Sequence, residues 1–132
     1  MKATSIYILF LFLVLNGISV FSQENIKAKI VTKVADNMID IKAVAQNNEP
    51  TLKDEYSYVL FSLKKGAQGN SSRNSQSGEF SLEPGEEKEL STLKINIQKD
   101  EEVKVLLFLR KDGVLVAKDS TIIYSAERKK KK

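Results

Sequence analysis

From Ile26 onward, apolar residues recur at every second position in short runs separated by polar turns. Ile26, Ala28 and Ile30 alternate with Lys27 and Lys29, and Ile39, Ile41, Ala43 and Ala45 alternate with Asp40 and Lys42. A period of two sends alternate side chains to one face, so each run predicts a strand with one buried side. Ala35-Asp36-Asn37 turns the chain between them. Asn47-Asn48-Glu49-Pro50 ends the second strand, because Pro50 removes a ladder donor.

A third strand is predicted from about Glu55 to Lys64, with Val59, Phe61 and Leu63 on one face and Tyr56, Tyr58 and Leu60 on the other. Lys65 to Arg73 reads as a long loop, and Ser77 to Leu82 as a short strand leading into a Pro84-Gly85 turn. Leu90 is out of phase with Leu93, Ile95 and Ile97, which predicts a bulge or a late strand start near Thr92. Val103, Val105, Leu107 and Leu109 form the most apolar strand face, with Leu106 and Phe108 on its reverse. Asp112-Gly113 then signals a hairpin into Val114 to Tyr124.

Seven short strands with frequent turns predict an all-β, immunoglobulin-like β-sandwich of about seven antiparallel strands, with a small closed barrel as the alternative. The Cys-Trp-Cys core of antibody domains is absent, since the chain has neither residue. The sandwich is expected to span residues 23–126.

The N-terminus breaks the alternation. Lys2 precedes an unbroken run of ten apolar residues, Ile6 to Leu15, and Ser22 offers a small residue for cleavage. Ten residues are too few to cross a bilayer comfortably, so 1–22 reads as a signal peptide, with a membrane anchor as the alternative. The remaining 110 residues suit one domain with one core. Its stability must come from that core, because there are no cysteines to form disulfides.

The formal charge of +4 is unevenly distributed. Without Lys2 and the tail from Glu127 to Lys132, 15 Lys and Arg face 16 Asp and Glu, so the body is near neutral. The basic excess sits in a tail at 127–132, expected to be solvated and disordered. A neutral exported body is a poor candidate for nucleic acid.

Candidate chemistry is sparse. With no His and no Cys, the usual pairings of a nucleophile with a base are closed. The carboxylates Glu86, Glu87 and Glu89, and Asp100, Glu101 and Glu102, fall in predicted turns and match no calcium-loop spacing. No glycine pattern matches a phosphate loop. The expectation is a non-enzyme without cofactor or metal. What remains is surface. If the third and sixth strands share a sheet, Tyr58, Leu60, Leu106 and Phe108 would form an outer apolar patch flanked by Lys104, Arg110 and Lys118. Such a patch marks a partner site, unless loops cover it or the facing is reversed.

Gly69 to Leu82, G-N-S-S-R-N-S-Q-S-G-E-F-S-L, is followed by E-P-G-E and T-L-K-I-N-I. This pattern resembles the curli assembly chaperones of the CsgH type, which are related to CsgC. The resemblance runs from about Glu55 to Tyr124. It implies a small periplasmic sandwich that binds a curli-type amyloid subunit and prevents premature polymerisation; a monomer is expected. It also implies no enzymatic activity and no stable membrane insertion after signal cleavage. The Cys-x-Cys pair of CsgC-type members is missing here, which excludes a redox role. A structural or adhesive immunoglobulin-like module at the cell surface is the alternative. A carbohydrate-binding module would want a row of exposed aromatics, for which only Tyr56 and Tyr58 are candidates.

Overall fold

The computed structural model describes residues 25–125; the expected signal peptide and basic tail lie outside the described residues. Seven antiparallel strands are formed: β1 (Ile26–Ala35), β2 (Met38–Asn47), β3 (Lys53–Lys65), β4 (Ser71–Leu82), β5 (Glu87–Asn96), β6 (Glu102–Lys111) and β7 (Val114–Tyr124). They make a three-stranded sheet of order β1-β2-β5 and a four-stranded sheet of order β4-β3-β6-β7. The two sheets pack as a β-sandwich of the expected class, with β3 and β6 as neighbours.

The core follows the alternation. Ile39, Ile41, Ala43 and Ala45 of β2 face Val103, Val105, Leu107 and Leu109 of β6, and all eight are fully buried. The phase break in β5 is a bulge. Ala43 pairs with Ser91 and Val44 with Glu89, leaving Leu90 as the extra residue. Both Leu90 and Leu93 thereby reach the core.

One reading of the middle of the chain is corrected. The loop assigned to Lys65 to Arg73 spans only residues 66–70, because β4 begins at Ser71 and pairs without interruption from Ser71 opposite Lys65 to Phe80 opposite Tyr56. Small polar side chains were read as loop, but a strand whose outer face meets solvent holds them at little cost. The expected Pro84-Gly85 turn is present, and it is a corner between sheets, since β4 and β5 belong to different sheets. Pro84 and Gly85 occupy the central positions of a turn closed by the Glu86 N–H to the Glu83 carbonyl at 3.0 Å, with Gly85 at φ 74°. The Asp112-Gly113 hairpin has both residues at positive φ, 52° and 79°, as a twisted two-residue connection requires.

The facing of β3 is the second correction. In register, Leu60 pairs with Leu107, Ser62 with Val105 and Tyr58 with Leu109. Cross-strand partners share a face, and the β6 partners all point inward. Tyr56, Tyr58, Leu60 and Ser62 therefore line the core side, and Val59, Phe61 and Leu63 point out. The Tyr58 ring lies over Gly78, where an added Cβ would come within 3.0 Å of it, and sits 6.3 Å from the Phe80 ring. Phe80 also packs against Tyr56 at 5.8 Å.

Candidate functional site: one sheet face

The two outer faces of the sandwich differ in chemistry. On the three-stranded sheet, charges alternate in sign and pair across strands: Lys29 with Glu87 at 3.9 Å, Lys42 with Glu89 at 3.8 Å and Lys94 with Asp40 at 4.0 Å. These exposed pairs contribute little to stability. They do leave a charged, solvated surface, on which Lys27, Lys33 and the exposed Val31 of β1 also stand.

The four-stranded sheet is the reverse. Its register sets Val59 beside Phe108, Phe61 beside Leu106 and Leu63 beside Lys104 on the outer face. One strand further out, Leu106 pairs with Ser120, Phe108 with Lys118 and Lys104 with Ile122, which is 47% exposed. On the other flank β4 contributes Arg73, Ser75, Ser77 and Glu79 opposite Leu63, Phe61, Val59 and Ser57. The centre is a contiguous half-buried apolar patch of Val59, Phe61, Leu63, Leu106 and Phe108. Around it stand Lys65, Arg73, Lys104, Arg110 and Lys118, against only Glu79 and Glu102 of opposite sign on this face. The Arg110 guanidinium lies 5.5 Å from the centre of the Phe108 ring, so one basic group already rests on the apolar centre.

Of the residues singled out from sequence, Lys104, Leu106, Phe108, Arg110 and Lys118 are brought together on this face. Tyr58 and Leu60 are not. Leu60 is fully buried, and Tyr58 packs on the core side against Gly78 and Phe80. Their places are taken by Val59, Phe61 and Leu63, with Arg73 added from β4. No local sequence signal separates the two faces, since Ser62, in phase with Leu60, is buried opposite Val105 although it is polar.

Among the described residues no three acidic side chains converge as metal ligands would. The acidic turn at Asp100 and Glu102 borders a shallow depression with Lys65, Gly66 and Ala67, open to solvent. Among the described residues no helix is long and apolar enough to cross a membrane.

Comparison with solved structures places the architecture. The curli protein CsgC of E. coli superposes with a TM-score of 0.59 at 20% identity, over 72% of this chain and 96% of that one. CsgH of R. palustris superposes at 0.53 and 17% identity, over 70% of this chain and 89% of that one. The fold is CsgC- and CsgH-like. A β-glucuronidase of Bacteroides uniformis also matches, at 0.51 and 12% identity, but through only 14% of its length. The same sandwich thus also occurs as one part of a much larger enzyme, and at these identities the likeness concerns fold. No protein-family model matches the chain, and no curated protein matches it significantly.

Proposed function

We propose that this chain is a curli-related, exported binding protein that holds amyloid-forming subunits on the outer face of its four-stranded sheet and delays their polymerisation. The observation that carries the reading is the outer face of the four-stranded sheet, where Val59, Phe61, Leu63, Leu106 and Phe108 form an apolar centre bordered mainly by basic side chains. Soluble domains seldom keep an apolar patch with a largely basic rim unless a partner covers it. The likeness to CsgC and CsgH, which spans nearly the whole of both, supports the curli connection.

Recognition would proceed in two stages. The basic rim attracts an acidic or polar segment from a distance and sets the encounter rate, an effect that salt weakens. Val59, Phe61, Leu106 and Phe108 then bury apolar side chains of the client. Delay at low ratios follows if the bound species are nuclei or fibre ends, which grow through unpaired strand edges. No catalytic step, cofactor or metal enters this account, and the site of action is the periplasm.

The test is thioflavin T fluorescence of a curli-type subunit with substoichiometric protein spanning Gln23 to Lys132. A long extension of the lag phase is expected, reduced about tenfold in potency by Phe108→Ser or Lys104→Glu. No delay at equimolar protein, with several subunits tried, would overturn the reading and leave a structural surface module in its place.

A further inference from the structure

The sandwich has four strand edges, and three of them are guarded. The β1 edge carries Lys27, Lys29 and Lys33, and its Ile30 N–H donates to the Asp119 carboxylate of β7 at 2.8 Å, so these two edges are tied together. The β5 edge carries Glu87, Lys88, Glu89 and Lys94 and is kinked by the bulge at Leu90. Lysines, bulges and side-chain covers are the usual defences against edge-to-edge pairing. β4 has the fewest. Ten consecutive residues pair regularly with β3 with no bulge, and the run from Asn74 to Gly78 holds no charge and no proline. Ser71 to Ser75, Ser77 and Glu79 are all exposed. Contact from β5 is by side chains alone, through the Ser91 hydroxyl on Gln76 and Lys88 Nζ on the Ser81 carbonyl at 2.6 Å.

The charges on β4 supply the partner. Arg73 and Glu79 lie on the same outer face, and neither makes an ion pair with a described residue. They flank Gln76 symmetrically. An antiparallel pairing of two β4 strands with Gln76 on the two-fold axis therefore sets Arg73 opposite Glu79 of the second copy, twice. Within the same register Asn74 meets Gly78 and Ser75 meets Ser77, so small and polar groups oppose one another without a like-charge contact. A closed two-fold pairing requires this kind of self-complementarity. We infer that the β4 edge is a pairing site for a second copy of this chain, joining two four-stranded sheets into one of eight. The expected monomer is then the dilute form. The joined sheet would carry two basic-rimmed faces on the same side.

Sedimentation velocity of the purified protein from about 10 µM to 1 mM tests this directly. A dimer that grows in with concentration is expected. Arg73→Glu sets glutamate against glutamate at both ends and should weaken it about tenfold, and the charge-reversed Arg73→Glu/Glu79→Arg pair should restore it. Circular dichroism checks that each variant keeps the strand signal. A monomer throughout the range overturns the inference. So does a dimer that is indifferent to Arg73→Glu, or one that the double reversal fails to restore; either would place the contact on another surface.

Discussion

The side-chain amide of Asn47 donates to the Glu83 carbonyl at 3.1 Å and so joins the end of β2 to the corner between β4 and β5. The same amide donates to the Thr51 carbonyl at 2.7 Å, and its oxygen accepts the Glu49 N–H at 3.1 Å. Asn47 is fully buried and holds two of the places where the chain crosses between sheets. Asn47→Ala would leave two carbonyls and one N–H without their partner. A loss of about 3 kcal/mol is expected in urea unfolding, with the m-value unchanged.

The reversed facing of β3 gives opposite results at adjacent positions. Leu60→Ala empties a fully buried site opposite Leu107 and should cost about 3 kcal/mol. Phe61→Ser acts on the outer face and should change stability by about 1 kcal/mol or less, while reducing the delay of amyloid growth. Equal destabilisation by the two would show that the outer patch is structural.

Glu55 sits at φ 59° where β3 slips against β4, with Asp54 and Glu55 together opposite Ser81. A left-handed conformation costs a residue with a Cβ about 1–2 kcal/mol, and glycine is the usual occupant of such a bulge. Part of that gain is lost to the greater freedom of glycine in the unfolded chain. Glu55→Gly should therefore raise stability by about 0.5–1 kcal/mol, seen as a higher urea midpoint.

Acid should act at Glu49. The Lys53 ammonium bonded to its carboxylate holds its pKa below the ordinary carboxylate value. A pKa lowered in the folded state means that this contribution is fully present above the unfolded pKa. It is lost as pH falls through the lower, folded one. Carbon-detected NMR titration should find Glu49 titrating below the ordinary carboxylate value. Lys53→Met should return it toward that value. A titration that does not move in Lys53→Met would assign the shift to another cause.

The alternation of Ile39 to Ala45 and of Val103 to Leu109 made the sandwich legible, because each strand has only one apolar face or one clearly stronger one. It failed at β3, where both faces are apolar. Val59, Phe61 and Leu63 are more hydrophobic than Tyr56, Tyr58 and Ser62, yet pairing with β6 decides which set is buried. That register is a long-range property, and no local period contains it. The site inherited the same error: its β6 and β7 members were assigned correctly to the outer face, while Tyr58 and Leu60 were not. The first part of β4, before Ser77, escapes a sequence reading for another reason. Serine, asparagine and glycine favour loops when nothing else is known, and only the regular pairing with β3 makes them strand.

The bond between Ile30 and Asp119 spans almost the whole described chain. It joins the first strand, at an otherwise bare stretch of its edge, to the last. Until β7 is in place, β6 has a single neighbour and β1 is closed on one side only. The order of synthesis thus runs against the order of protection: the segment made first waits longest for its cover. A chain cut short before Asp119 would carry nearly all of the core residues and still present two raw edges, the state most prone to the kind of aggregation the intact protein is proposed to restrain.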